Sequence, residues 1–242
     1  MRSKELRCSF SEIFKLTKNM NRLTVQATIL HKVSEESPQD PFRVLITTIL
    51  SQRTKDENTR KASAQLFSQY PDVYSLAKAD KKAIERLIRP SGFYHTKAKS
   101  IISVARTLLE EYGGHVPRDL DKLLELPSVG RKTANCVLIY GFRIPAIPVD
   151  THVHRITNRL SIVNSRNPEE TEIQLREKVE RRYWLGLNDE FVKFGQRICR
   201  PVRPRCLVCN LKPCCNWYQS NRKAGRELWS KEDKYVKLRA QM

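Results

Sequence analysis

The sequence lacks the features that mark membrane-spanning, secreted and β-rich proteins. No apolar run approaches the ~20 residues that a membrane-spanning helix needs, and the first residues do not form a secretory signal peptide. Alternating runs of β-branched residues are missing, as are low-complexity segments and repeats of fixed period. We therefore expect a cytoplasmic protein with an all-α fold, and 242 residues suffice for one sizeable core or two small ones.

Acidic residues are scarce relative to basic ones. The chain has 45 Lys and Arg against 26 Asp and Glu, a formal charge of +19 spread along its whole length. The segment from Ser220 onward is a basic tail. Such an excess attracts phosphates through the release of condensed counterions, so a nucleic acid is the expected partner. A basic surface that only confers solubility, or an architectural role, is the alternative, because charge alone indicates a partner and no activity.

Helical periodicity dominates the chain. Between residues 97 and 112 apolar side chains recur at steps of three and four, and a pair of glycines then offers a left-handed stop. Asn167 and Pro168 form a cap followed by proline at the first helical position, which predicts a helix that continues to Tyr183. Further helices are expected over residues 24–32, 44–51, 56–70, 81–88 and 191–198.

Four of the seven cysteines lie close together, separated by six, two and five residues: Cys199, Cys206, Cys209 and Cys215. This spacing favours a [4Fe-4S] cluster, since short loops can bring four thiolates to one small volume and soft sulfur ligands suit iron. Zinc is the main alternative, although it more often uses two facing knuckles and only one CxxC is present. Disulfides are a further alternative that the odd count does not favour. The other cysteines are expected to be buried non-ligands: Cys8, Cys136 and Cys214.

Residues 126–134 read Leu-Pro-Ser-Val-Gly-Arg-Lys-Thr-Ala and join two helical patterns by a tight turn, which is typical of a helix-hairpin-helix motif. Pro127 ends the first helix, and Gly130 is expected to take a backbone conformation closed to other residues. The free amide groups of the second helix can then bind a DNA phosphate without reading bases. An ordinary turn between helices is the alternative. The residues expected to contact DNA here are Pro127, Val129, Gly130, Arg131 and Thr133.

Two residues near this hairpin form a candidate catalytic pair. Lys132 lies in the first turn of the second helix, where the positive end of the helix dipole favours an uncharged, nucleophilic amine. Asp150 precedes another helix, and an ionised carboxylate there can assist the amine. Each residue also has a simpler interpretation, as a solvated lysine and as a helix N-cap. Their occurrence together, beside a hairpin and a cysteine cluster, favours catalysis.

Residues 126–134, residues 149–155 and the four-cysteine pattern together resemble the endonuclease III family, DNA glycosylases and abasic-site lyases of the helix-hairpin-helix superfamily. The resemblance covers roughly residues 24–215. It implies two helical domains that flank a DNA-binding cleft. The first would be a six-helix barrel over residues 33–144, and the second a cluster domain built from residues 1–32 and 145–242.

The resemblance also implies an activity. Lys132 would attack the sugar of an oxidised pyrimidine nucleotide with the help of Asp150, and the resulting Schiff base would lead to strand cleavage on the 3′ side by β-elimination. The implied partner is double-stranded DNA with damaged bases or abasic sites, bound by a monomer. A mismatch glycosylase acting on uracil, thymine or adenine is one alternative, although it would lack the lysine. A non-enzymatic iron-sulfur DNA-binding protein is the other.

Further DNA contacts follow from the same resemblance. The family's intercalating glutamine lies in a pattern like LSxQT, whereas residues 50–54 read Leu-Ser-Gln-Arg-Thr, so Gln52 and Arg53 are both candidate wedges. Ser128 stands where the family usually has its first hairpin glycine. His152 is expected to support the catalytic aspartate. Three loop arginines are expected to meet DNA phosphates: Arg200, Arg203 and Arg205.

Overall fold

The computed structural model describes residues 7–22, 30, 33 and 40–223. Across that part of the chain helices are the only regular secondary structure, which confirms the all-α prediction. No helix there is long and apolar enough to cross a membrane. The chain divides into two compact units, Thr28–Pro148 and a second formed by Met1–Ala27 with Val149–Met242. The domain limits expected from the sequence stay a prediction.

The α-helices of the described residues are numbered here in chain order. They are α1 (Phe10–Arg22), α2 (Pro41–Ser51), α3 (Asp56–Gln69), α4 (Val73–Ala77), α5 (Lys81–Ile88), α6 (Tyr94–Tyr112), α7 (Leu120–Glu125), α8 (Arg131–Cys136), α9 (Thr151–Arg159), α10 (Pro168–Lys178), α11 (Trp184–Arg197) and α12 (Asn216–Lys223). Short 3₁₀ helices cover Arg89–Ser91, Arg181–Tyr183 and Cys206–Val208, and a π-helix covers Val137–Gly141.

The unit Thr28–Pro148 contains α2 to α8 around one apolar core. Several of its helices begin at an aspartate whose carboxylate accepts a backbone N–H of the first turn, which is the usual role of an N-cap; these are Asp40, Asp72, Asp80 and Asp119. α6 ends at Gly113 in the left-handed conformation. The π-helix continues α8 and packs against α2. The two backbones approach closely at Gly141, because a side chain there would place its Cβ only 3.0 Å from the Cα of Pro41.

The unit formed by the chain ends contains α1 and α9 to α12, with α11 packed against both α1 and α9. Phe191 and Phe194 of α11 are fully buried. The rings of Phe10 and Phe14 both lie close to Tyr183, at centroid distances of 5.2 and 5.1 Å. Aromatic packing of this kind adds about 0.5–1.5 kcal/mol per pair beyond the burial of apolar area. α1 is thereby fixed to the C-terminal half of the chain.

Most predicted helices are confirmed to within a few residues, including 81–88 and 97–112. The helix that begins at Pro168 ends at Lys178 and not at Tyr183, because Val179 has an extended backbone and a separate 3₁₀ turn follows. The helix predicted over 24–32 lies outside the described residues apart from Leu30, and so does the basic tail beyond Lys223.

A disulfide joins Cys8 to Cys214, whose Cα atoms are 5.3 Å apart and whose positions differ by 206 residues. The sequence argument against disulfides is therefore wrong for these two residues, whereas the prediction that neither is a cluster ligand is not contradicted. The segment before α1 brings Cys8 to the cysteine-rich loop, where Arg7 Nε also donates to Asn216 Oδ1 at 2.7 Å. Cys136 is buried as predicted, and the four clustered cysteines are in no disulfide.

Candidate active site and cysteine pocket

The hairpin between α7 and α8 places its left-handed residue at an unexpected position. Ser128 has φ of +64°, whereas Gly130 is extended with φ of −95°. The prediction that Gly130 supplies the special conformation is therefore wrong, because the chain reverses at Ser128. The side chain of Ser128 is held by a 2.8 Å hydrogen bond between its Oγ and that of Ser100 in α6.

Gly130 is the N-cap of α8, and it faces open space. A Cβ added there would meet no protein atom within 4 Å, so the packing of the protein does not require a glycine. Val129 and Thr133 are buried, so a phosphate at this end of α8 would meet their backbone and not their side chains. Pro127 and Arg131 are partly buried beside them. The geometry suits a ligand that approaches the start of the helix closely.

Lys132 lies in the first turn of α8 and is partly buried. The residues that follow it are buried from Thr133 through the π-helix, so this lysine stands where the helix leaves the core. Gln52, the C-cap residue that follows α2, places its Nε2 3.5 Å from Thr133 Oγ1. The structure therefore brings one of the two candidate wedge residues next to the lysine-bearing turn.

Residues 52–54 form the wedge loop, which carries both candidate wedge residues on the surface. Gln52 and Arg53 are exposed, and Arg53 has a left-handed backbone with φ of +53°. Thr54 closes the loop because its Oγ1 donates to Gln52 O at 3.1 Å and to Ser91 O. The second of these bonds ties the wedge loop to the turn before α6.

That turn carries an aromatic residue that sequence reasoning missed. Phe93 is 64% exposed and left-handed, with φ of +47°, directly after Gly92 at φ of +64°. An exposed aromatic ring held on a rigid turn is suited to stacking on a base or filling a gap in a stack. The signal that could have found it is a glycine followed by an aromatic residue just before a strongly periodic helix.

Asp150 lies in the unit formed by the chain ends, where it is the N-cap of α9. Its Oδ1 accepts the backbone N–H groups of His152 and Val153 at 2.9 and 2.8 Å. Its Oδ2 accepts no hydrogen bond from the described residues, so capping occupies only one oxygen. His152 places its Nδ1 3.0 Å from Arg155 Nη2 and packs on α11, where a Cβ on Gly195 would lie 2.4 Å from that nitrogen.

The four clustered cysteines line one pocket. Cys199 follows α11, Cys206 and Cys209 bracket a 3₁₀ turn, and Cys215 precedes α12. The pocket holds about 390 Å³ of space between atoms, including its open mouth. Its remaining walls are largely apolar and include Ile156, Leu160, Phe194, Leu211, Trp217 and Tyr218. Across the described residues, no group of three or more His, Cys, Asp or Glu is arranged to hold a single metal ion.

Burial controls the protonation of these thiols. It raises the pKa of Cys209 to about 12 and that of Cys215 to about 11, with a further contribution from the neighbouring cysteines. The charge of Arg159 in α9 opposes the rise in the pKa of Cys215. The Nη1 of Arg159 also donates to Cys199 Sγ at 3.3 Å, and its guanidinium stacks over Trp217 at 4.3 Å. The thiolate forms therefore need a cation inside the pocket, as metal binding would provide.

The loop between the first two cysteines does not present its arginines equally. Arg203 is exposed and left-handed, with φ of +49°, next to the 75% exposed Val202. Arg200 and Arg205 are partly buried, and the Arg200 Nε has no hydrogen-bond partner although it is buried. The backbone carbonyl of Arg200 is held by Arg159 at 2.8 Å. Arg203 is thus the arginine of this loop that is best exposed to a polyanion.

Sequence comparison shows which superfamily of proteins the chain matches. Residues 46–181 match the model of the HhH-GPD superfamily of base excision DNA repair proteins. Endonuclease III of Thermotoga maritima is 53% identical over 180 residues, which cover 74% of this chain and 84% of that protein.

Solved structures agree with the sequence matches. A non-covalent endonuclease III–DNA complex superposes with a TM-score of 0.77 at 30% identity, covering 89% of this chain and 99% of that one. A trapped endonuclease III–DNA covalent intermediate gives a TM-score of 0.74 at 29% identity over the same shares of the two chains. The chain belongs to the HhH-GPD superfamily and, within it, to the endonuclease III family.

Proposed function

We propose that this chain is a bifunctional DNA glycosylase and abasic-site lyase of base excision repair that removes oxidised pyrimidines from double-stranded DNA. The observation that carries the proposal is the position of Lys132, on the first turn of a helix that leaves the core directly after a hairpin whose N-cap faces open space. The similarity to a trapped endonuclease III–DNA covalent intermediate supports a mechanism in which the enzyme bonds covalently to DNA. The enzyme is proposed to act as a monomer.

Lys132 supplies the nucleophile. Its uncharged Nζ forms a bond to C1′ while the bond from C1′ to the damaged base breaks, and the base leaves with a proton. The C1′–O4′ bond of the sugar then breaks, O4′ takes up a proton, and a Schiff base forms between Nζ and C1′. This Schiff base acidifies the C2′ hydrogen. Removal of that proton breaks the C3′–O bond, which cleaves the strand on the 3′ side of the lesion.

Asp150 is proposed to stabilise the positive charge that develops on the sugar and to take up the proton of the amine. Its two oxygens have separate tasks. The amides at the start of α9 hold Oδ1, which fixes the carboxylate in place, and Oδ2 accepts nothing from the described residues. A cap that fixes one oxygen and leaves the second available suits a catalytic carboxylate, whose position must be set before the substrate arrives.

DNA binding is proposed to combine non-specific attraction with local wedges. The charge of +19 attracts the phosphate backbone, and the start of α8 receives one phosphate at the positive end of its helix dipole. Gln52, Arg53 and Phe93 lie on neighbouring turns and are exposed, so they are placed to occupy the gap left when a nucleotide rotates out of the stack. Arg203 is proposed to meet a further phosphate.

A [4Fe-4S] cluster is the cofactor proposed for the cysteine pocket, with Cys199, Cys206, Cys209 and Cys215 as ligands. The residues fit this group because four thiols line one pocket, and soft sulfur ligands suit iron. When bound, the cluster would supply thiolate–iron bonds that stiffen the loop carrying Arg203. No step of base removal is assigned to it.

Borohydride trapping tests the proposal. Wild type, Lys132→Gln, Asp150→Asn and the charge-matched control Lys61→Gln, an exposed position on α3, are incubated with duplexes that contain thymine glycol, dihydrouracil, mismatched uracil or an abasic site. We expect wild type and Lys61→Gln to form a covalent adduct and to cleave the oxidised-pyrimidine and abasic duplexes. Lys132→Gln should form no adduct, and Asp150→Asn should slow base release by about 10²-fold or more.

The other functions give different results. Base release without an adduct would indicate a monofunctional mismatch glycosylase. Binding without release or cleavage on any duplex would indicate a non-enzymatic DNA-binding protein. Full trapping by Lys132→Gln would remove this residue from the nucleophile role.

A further inference from the structure

Lys97 is a buried lysine that the reaction above does not use. It lies in the first turn of α6 and is only 5% exposed. Its Nζ donates three hydrogen bonds, to Leu50 O at 2.7 Å, to Thr54 Oγ1 at 2.7 Å and to Ser91 O at 2.9 Å. An ammonium group has three donors. Every donor of Lys97 is therefore satisfied by a different segment of the chain.

The three acceptors lie at the bases of the two turns that present the candidate wedge residues. Leu50 and Thr54 stand on either side of Gln52 and Arg53, and Ser91 comes two residues before Phe93. Thr54 Oγ1 also donates to Ser91 O and to Gln52 O. One side chain thus links the end of α2, the end of the wedge loop and the turn before α6.

Stability alone does not account for a lysine here. No ion pair among the described residues involves Lys97, so no carboxylate offsets the loss of hydration. Burial lowers its pKa from 10.5 to about 8, which reflects that cost. Apolar residues of similar volume often replace buried charges without loss of stability. Apolar residues cannot, however, supply hydrogen bonds to two backbone carbonyls and a hydroxyl at once.

We propose that Lys97 is a positioning residue that fixes the wedge loop and the Phe93 turn relative to each other, so that both enter the DNA stack together when a nucleotide is extruded. The inference rests on the proposed function. It assigns Lys97 no contact with DNA and no part in bond breaking. Its contribution is confined to substrates in which a stacked duplex must be opened.

The experiment separates duplex opening from chemistry. Single-turnover strand cleavage is measured at an abasic site in a duplex and in a single-stranded oligonucleotide, because only the duplex requires a wedge. Lys97→Met keeps a similar side-chain length without the donors, and Thr54→Val removes the shared hydroxyl from the other side of the network. Thr47→Val is the matched control, since it breaks another buried hydrogen bond of the same unit, to Ser63 at 2.7 Å. Melting temperatures are measured for all variants.

We expect Lys97→Met to slow duplex cleavage by about tenfold to hundredfold, as misplacement of a positioning group by about 1 Å can do, and to leave single-strand cleavage nearly unchanged. Thr54→Val should shift the ratio of the two rates in the same direction, and Thr47→Val should leave it unchanged. Equal losses on both substrates, or an unchanged ratio for both Lys97→Met and Thr54→Val, would overturn the proposal. If wild type cleaves neither substrate, the proposed function itself has failed.

Discussion

Loss of the Cys8–Cys214 disulfide should lower the stability of the protein by a measurable amount. The bond closes a loop of 206 residues, nearly the whole chain. In the chain-entropy model, closing a loop of this length removes about 18 cal/mol/K from the unfolded state, or about 5 kcal/mol at 25 °C. Measured values for disulfides more often reach about 2–4 kcal/mol. For a chain of this size we expect the melting temperature to fall by roughly 5–15 °C.

The assay compares wild type with Cys8→Ala, Cys214→Ala and the double variant, all with equal content of the proposed cluster, by thermal unfolding without reductant. Either single substitution breaks the same bond. The double variant should therefore lose little more than a single one, a strong departure from additivity. Mass spectrometry of an unreduced digest should show the cross-linked peptide pair in wild type alone.

Two results would refute this reasoning. If the single variants melt at the wild-type temperature, the disulfide is absent or does not constrain the unfolded chain. If the losses of the two single variants simply add, each reflects local packing around one cysteine, which is plausible for Cys214 because it is only 2% exposed. Reductant provides an internal check, since it should lower the melting temperature of wild type and leave the double variant unchanged.

Three further predictions concern single positions. Ser128→Gly should raise the free energy of unfolding by about 1 kcal/mol in urea titrations, because φ of +64° is strained for serine, whereas Ser128→Ala should not. Between about pH 8 and 10.5, Lys97 is protonated in the unfolded chain and largely unprotonated in the folded protein. Wild type should therefore gain stability relative to Lys97→Met by up to about 1.4 kcal/mol per pH unit across that window, and a constant difference in melts from pH 7 to 10 would contradict the assigned burial. Arg159→Lys keeps the charge but loses the bond to Cys199 Sγ and the stack on Trp217, so iron in the proposed cluster should be lost to a chelator about tenfold faster.

The sequence predicts the helices and the cysteine pocket well because both depend on local signals. α5 matches its predicted range, and α6 begins three residues before it, since apolar periodicity and a glycine stop define them within a few turns. The four clustered cysteines fall within 17 consecutive residues, so short loops alone bring them to one pocket. Lys132 is likewise found from the hairpin that precedes it.

What the sequence does not reveal depends on contacts between distant positions. Cys8 and Cys214 have no spacing that marks them as partners. Lys97 looks like any lysine on an amphipathic helix until Leu50 and Ser91 are brought to its amine. The sequence predicts the left-handed residue of the hairpin at its glycine, because a serine at φ of +64° is uncommon and only the path of the chain requires it.

The π-helix Val137–Gly141 makes this stretch of the chain sensitive to insertion more than to deletion. A π-turn accommodates one residue more than an α-turn, and it lies between α8 and Gly141, which packs closely on Pro41. Deleting one residue there would give ordinary α-helical winding, so α8 and Gly141 would keep the same faces of the helix. Inserting one residue would exceed what the π-turn absorbs and would rotate α8, with Lys132, by about 100° around the helix axis relative to Gly141. Single-residue insertions in this buried segment should therefore abolish strand cleavage as fully as loss of the amine, whereas a single deletion should reduce it less.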